Sequence, residues 1–257
     1  MSQQTLLVGL AHPDDEVGVA GTILAQRARG DRVVVVWLTR GEMTEAFGPL
    51  PVDEVARLRT EQGAEAGAIL DVETRFLDFA DTRLEATHDA ASRVARVIAD
   101  IRPDGLLTWG EAWTRGRRHP DHQACGRIFR DAITLARIAK TVHPAQPHRA
   151  AVPVWTLRDV HSILPVAVVN VQPYVARIHE LGRFYHARIG FGDPAWIEEH
   201  LGSAGAPFGL QYAEVFDAYE TQPGQVPALL PATLLGGAVT HPERPNERGD
   251  GARLVSP

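Results

Sequence analysis

Two short stretches of the chain carry the residue types that hydrolytic metal chemistry needs. "AHPDDE" sets His12, Asp14, Asp15 and Glu16 side by side, and far downstream "HPDH" sets His119, Asp121 and His122 together. The tripeptide His-Pro-Asp thus occurs twice, where composition alone predicts roughly 0.05 occurrences. Two imidazoles and one carboxylate are the usual donors of an open catalytic zinc site, whose fourth position is left for water. His12, Asp15 and His122 supply that set. Adjacent side chains point in different directions, so only one of Asp14 and Asp15 readily ligates, and the other faces the water as a general base. A plainer reading of the first cluster is helix capping, since acids at a helix N-terminus complement its dipole and bond orphan amides for about 0.3–1 kcal/mol each. A phosphate cradle is disfavoured, because Gly18 and Gly21 do not form G-x-G-x-x-G and three acids repel a pyrophosphate.

Positioning these residues requires a scaffold, and the hydropathy pattern supplies one. Strand-length apolar runs at Thr5 to Ala11, Arg32 to Leu38, Thr74 to Leu77 and Gly105 to Thr108 alternate with helical periodicity at Val17 to Arg29, Val52 to Leu70, His88 to Ile101 and Asp121 to Lys140. This alternation predicts an α/β fold: a Rossmann-like three-layer α/β/α sandwich with a mostly parallel sheet and a less regular C-terminal part. In that second half "AAVPVWTL" and "PVAVVNV" read as strands, and Tyr174 to Arg188 and Pro194 to His200 as helices. Ligands of such sheets bind beyond the carboxyl ends of the strands. His12 to Glu16 follows the first predicted strand and "WGEAWTRGRRHPDH" the fourth, so both loops fall on one edge. Residues 1–223 are expected to form a single catalytic domain, and 224–257, rich in Pro and Gly, an extended tail in which "VPALLPATLL" can still pack on the body.

Composition narrows the class. The chain has 257 residues, 44% of them apolar, with 26 basic and 32 acidic residues and a net charge of −6. Lys140 is the only lysine, and this balance argues against nucleic acid as a partner. The first residues lack the basic segment and apolar core of a signal peptide, and no run approaches the ~20 apolar residues of a membrane span, so the expectation is a cytoplasmic protein with no membrane partner. The single Cys125 excludes an internal disulfide and reads as a buried core thiol. The remaining histidines have no partner at ligand spacing and read as structural.

"AHPDDE" with a downstream "HPDH" resembles the paired signatures of the PIG-L/LmbE-like zinc-dependent de-N-acetylases. "LTRGEM", "RTEQGAEAGAILDV", "LDFADTRL" and "FGLQYAEVF" are similar to further family segments, although Asp71 stands where a glycine is usual. Within the family the chain most resembles the N-acetylglucosaminyl-malate deacetylases of bacillithiol biosynthesis; mycothiol-type deacetylases and amidases, and other acetamido-sugar deacetylases, share the motifs. The resemblance implies a hydrolase that removes acetyl from an N-acetylglucosamine conjugate, a small-molecule amino sugar, releasing acetate and a free amine. It implies His12, Asp15 and His122 as metal ligands and zinc as the cofactor, with iron(II) or another divalent metal as an alternative. It further implies attack by a metal-bound hydroxide, with Asp14 as general base. His119, protonated and oriented by Asp121, is expected to stabilise the oxyanion. Glu16 is expected to brace the loop. Arg59, Trp113 and Arg118 are carried as substrate contacts, with Arg115 and Arg117 beside them, and Phe208 and Tyr212 as candidate apolar walls. Relatives are often multimeric, so a homo-oligomer stays open. The competing readings are a carbohydrate-binding module without turnover and a nucleotide-binding Rossmann protein.

Overall fold

The computed structural model describes residues 2–110, 119–158, 161–219 and 221–235. Eight strands form one sheet: β1 (Thr5–Leu10), β2 (Arg32–Trp37), β3 (Glu73–Phe76), β4 (Gly105–Trp109), β5 (Val154–Leu157), β6 (Val166–Asn170), β7 (Ala213–Ala218) and β8 (Gly224–Val226), in spatial order β3-β2-β1-β4-β5-β7-β6-β8. All pairings are parallel except those of β7, which runs against β5 and β6. The helices are α1 (Ala20–Ala28), α2 (Val52–Leu70), α3 (His88–Ile101), α4 (Pro120–Ala136), α5 (Ala139–Val142), α6 (Val175–Ile189) and α7 (Pro194–Gly205). They cover both faces: α1, α2 and α6 pack together on one, while α3, α4 and α5 pack together on the other. The expected Rossmann-like sandwich is the fold observed.

The central strands are buried on both faces, which is why "LLVGL" and "VVVVW" are continuous apolar runs rather than alternating ones. Gly9 in β1 has a packing reason: a Cβ there would lie inside the Phe129 ring of α4. Chain winding runs from β1 to β2 and β3 on one side, then returns to β4 on the other. The carboxyl ends of β1 and β4 therefore flank the topological switch point, where open α/β sheets bind ligands.

The points at which the structure adds to or departs from the sequence expectation have identifiable physical causes. The helix expected from Val17 begins only at Ala20, because Asp15–Val19 forms a 3-10 turn. The α1 N-terminus is capped from a distance by Glu214 of β7, whose two oxygens accept from the Gly21 and Thr22 amides at 2.8 Å each. Asp71, where a glycine is usual, closes α2 in the left-handed conformation (φ 57). Its carboxylate accepts from Arg27 at 2.6 Å. The segment expected to open an extended tail instead extends the sheet, with β8 pairing with β6, while Ala228, Leu229 and Leu230 of "VPALLPATLL" pack on the body, as that stretch was expected to be able to do.

Candidate active site

The loop after β1 is held rigidly, and each acid in it has its own partners. Asp15 Oδ2 accepts from the Ala11 and His12 amides at 3.0 Å each and from Trp109 Nε1 at 3.2 Å. Its other oxygen lies 3.1 Å from His122 Nε2. Burial would raise the Asp15 pKa, but His122, His12 and the amide donors outweigh it and hold the carboxyl well below the usual range. Glu16 is fully buried and works as a brace: Oε2 accepts from the Asp14 amide (2.9 Å) and Trp37 Nε1 (3.1 Å), and Oε1 from the Tyr185 hydroxyl (2.5 Å). Burial raises its pKa to about 7. None of the three acids caps α1; that task falls to Glu214.

Asp14 sits in a strained backbone conformation, φ 103 and ψ −25, that non-glycine residues seldom adopt. Arg59, from α2, holds it there. The Arg59 Nη2 donates to Asp14 Oδ2 at 2.6 Å and to the Pro13 carbonyl, while Nη1 donates to Gln62 Oε1 at 2.8 Å. Arg59 is only 1% exposed. Expected from the sequence as a substrate contact, it does line the adjacent cleft, with its fork divided between the Asp14 loop and Gln62 of α2. Burial lifts the Asp14 pKa to about 6, with Arg59 pulling against it, so the carboxylate is ionised but basic near neutrality.

The second loop contributes from the start of α4. His122 stacks on Trp109 of β4, ring centroids 3.8 Å apart and 8° from parallel. His119 occupies the N-cap, where its Nδ1 accepts from the Asp121 amide at 3.3 Å. That bond leaves the proton on Nε2, and burial together with the His12 charge lowers the His119 pKa. Both features favour a neutral His119 imidazole over the protonated one expected from the sequence, with Nε2–H available as a donor. The Asp121 side chain does not orient it. Fully buried, Asp121 accepts from the Thr82 and Leu84 amides (2.8 and 3.1 Å) and meets His12 Nε2 at 3.1 Å.

Asp81, in the loop after β3, was given no role by sequence reasoning, although "LDFADTRL" contains it. Its Oδ1 also lies 3.1 Å from His12 Nε2, and Oδ2 accepts from the Met43 amide at 2.9 Å. The readable signal was an aspartate just beyond a parallel strand's carboxyl end. Burial lowers the His12 pKa, but Asp121, Asp81 and Asp15 together raise it to about 10.

These contacts test whether a metal fits. One nitrogen of His12 is anchored by buried carboxylates, and the other, Nδ1, faces Asp15 Oδ2 at 3.9 Å. Carboxylate-anchored histidine is the usual support of a metal-binding imidazole. Ligand atoms of His12, His119 and His122 lie within 4.8 Å of one another, as do those of His12, Asp81 and Asp121. The clustered acids and imidazoles suit a divalent cation. His12, Asp14, Asp15, Asp81, His119 and His122 line one cleft of about 1050 Å³, with Asp121 buried behind them, and the cleft extends past Met43 and Arg158 to Phe191, Trp196, His200 and Phe208. His200, read as structural, reaches the cleft, and Tyr212 does not line it. Trp113, Arg115, Arg117 and Arg118 lie outside the described residues.

Fold and site together define a Rossmann-like α/β protein with a His/Asp cluster at its switch point. Residues 7–133 match the family model described as GlcNAc-PI de-N-acetylase, PIG-L. The diacetylchitobiose deacetylase of Thermococcus kodakarensis is 34% identical over 127 residues, 49% of this chain and 47% of that protein. The probable N-acetyl-alpha-D-glucosaminyl L-malate deacetylase 2 of Bacillus anthracis is 27% identical over 203 residues, 72% and 88% of the two chains. Among solved structures, N,N'-diacetylchitobiose deacetylase from Pyrococcus horikoshii shares the fold, with a TM-score of 0.74 at 21% identity over 84% of each chain. Over residues 7–133, just under half of its length, the chain is similar to the PIG-L family, and these relatives are deacetylases of that kind. It spans about half the length of the Thermococcus relative. No helix among the described residues is long and apolar enough to cross a membrane.

Proposed function

We propose that the protein hydrolyses the acetamide of an N-acetylglucosamine conjugate, releasing acetate and a free amine, with N-acetylglucosaminyl malate and the ring conjugates as the candidate substrates. A cytoplasmic, small-molecule enzyme is the setting this reading implies. The observation that carries it is Asp14, a carboxylate of raised pKa pinned by Arg59 next to the His12–Asp15–His122 cluster at the head of the cleft. His12, Asp15 and His122 would hold the metal. Asp15 is favoured over His119 as third ligand because it adds negative charge toward a dication, and because His119 Nδ1 is already engaged by the Asp121 amide. Bound there, zinc or another divalent ion supplies Lewis acidity toward the amide carbonyl and lowers the pKa of water.

The chain's own groups do the rest. Asp14 takes the proton of the attacking water and returns it to the departing amine nitrogen. His119 Nε2–H donates to the oxygen of the tetrahedral intermediate. Asp121 and Asp81 fix the His12 ring, and Arg59 with Glu16 fixes the Asp14 backbone in its strained geometry. The test is acetate release from N-acetylglucosaminyl malate, its inositol analogue and diacetylchitobiose by metal-loaded protein, with Asp14→Ala as control. Release is expected to fall at least about 100-fold in the variant, with metal content retained. No release from any of the three by metal-loaded wild type refutes the proposal.

A further inference from the structure

The cleft is at the upper end of the roughly 300–1,000 Å³ usual for small-molecule sites, more than one acetamido sugar fills. Its far wall is built by α7 and the loop before it. Trp196, His200 and Ser203 fall at i, i+4 and i+7 of α7 and all line the cleft, whereas Ile197, Leu201 and Gly205 on the neighbouring face are buried in the body. Trp196 keeps 44% of its surface exposed and Phe191 38%. The Trp196 ring is nearly parallel to His200 (14°, centroids 5.4 Å) and has Phe191 at 5.7 Å. Asp193 fixes the first turn by accepting from the Ala195 and Trp196 amides at 2.8 and 3.3 Å. Burial lowers the His200 pKa, which favours an uncharged ring beside Trp196. Arg158, which also lines the cleft, is engaged by Asp217 at 2.5 Å and by the Leu164 and Ser162 carbonyls.

We infer that this aromatic shelf is a second subsite that stacks the apolar C–H face of a ring aglycone, a pyranose or a cyclitol, on Trp196. An exposed, preorganised indole in a cleft offers a flat face of large contact area, which matches the face of such a ring better than a short acyclic acid. The inference rests on the proposed amino-sugar reading and sharpens it by naming the shape of the group attached to the sugar. The shelf lies outside residues 7–133, so it is a property of this chain's second half.

Two measurements separate the two ideas. Calorimetric binding of diacetylchitobiose, N-acetylglucosaminyl inositol and N-acetylglucosaminyl malate is compared on zinc-loaded Asp14→Asn protein with and without Trp196→Ala or Trp196→Phe. Trp196→Ala is expected to weaken both ring conjugates about tenfold, Trp196→Phe to retain most of the affinity, and the malate conjugate to change little. In turnover, the ring-conjugate loss is expected in KM rather than kcat. Equal affinity of the Trp196→Ala and parent proteins for the ring conjugates, an equal loss for malate, or no ring-conjugate binding by the parent overturns the subsite. Absence of acetate release by wild type overturns the proposed reaction instead, and the binding data still decide the shelf.

Discussion

Replacing Asp121 by asparagine tests the architecture of the site where its parts are most tightly coupled. The side chain is fully buried and accepts from three sides: Oδ2 meets His12 Nε2 at 3.1 Å and the Thr82 amide at 2.8 Å, and Oδ1 meets the Leu84 amide at 3.1 Å. In Asp121→Asn one of the two oxygens becomes an NH2 group, so at least one donor faces another donor. A buried donor left unpaired costs about 1–3 kcal/mol. For a chain of this size that corresponds to a fall of about 2–12 °C in Tm. The same change loosens the His12 ring, and loss of such support lowers metal affinity about 10- to 100-fold, or about 1.4–2.7 kcal/mol. Scanning calorimetry of the metal-free and zinc-saturated proteins, with chelator competition for the zinc constant, measures both. The expected result is a lower Tm without metal and a smaller upward shift on adding zinc. A Tm within about 1 °C of the parent's together with an affinity within about twofold would refute the assigned role of Asp121.

Arg59→Met, which keeps the apolar stem and removes the fork, is expected to cost about 3–5 kcal/mol in urea unfolding and to depress metal-normalised turnover, because Asp14 loses its buried partner. Arg59→Lys should rescue little, since one ammonium cannot serve Asp14, Pro13 and Gln62 together. Gly126→Ala places a Cβ against the Trp109 carbonyl and so pushes α4 off β4; a loss of about 1–3 kcal/mol is expected in denaturant, with weaker zinc binding because His122 rides on that helix. Glu214 sets a pH dependence, as burial raises its pKa from 4.5 to about 7. Below pH 4.5 both folded and unfolded chains hold the proton and nothing is lost. Between 4.5 and 7 the unfolded chain releases it first, so this stabilisation declines as pH rises, by up to about 3 kcal/mol, and is constant above 7. Urea unfolding at pH 5 and pH 8 should show a flatter profile for Glu214→Gln than for wild type, and parallel profiles would remove Glu214 as the cause.

Much of the scaffold was legible because it follows from local chemistry. Continuous apolar runs marked β1, β2 and β4, and helical periodicity marked α3 to the residue. Less legible was β7, whose "AEVFDA" alternates weakly and carries two acids that make sense only against distant partners, Glu214 on α1 and Asp217 on Arg158. The 3-10 turn at Asp15–Val19 was hidden for a similar reason. The sequence there is compatible with helix, and it is the bonds of Asp15 and Glu16 to Trp109, Trp37 and Tyr185 that hold another path.

By itself the sequence determined the donor types and the repeated His-Pro-Asp phrase, because those depend on residue identity and on placement after strands. Tertiary structure alone decided how the members divide the work. Asp121 supports His12 rather than His119, Asp81 joins from a third loop, and Arg59 grips Asp14 from the wall of the cleft. The physical reason is that burial brings several charges within hydrogen-bonding reach. Which pairs form then depends on which carboxylate, amide and ring the fold sets three ångströms apart, and adjacency along the chain does not encode that distance.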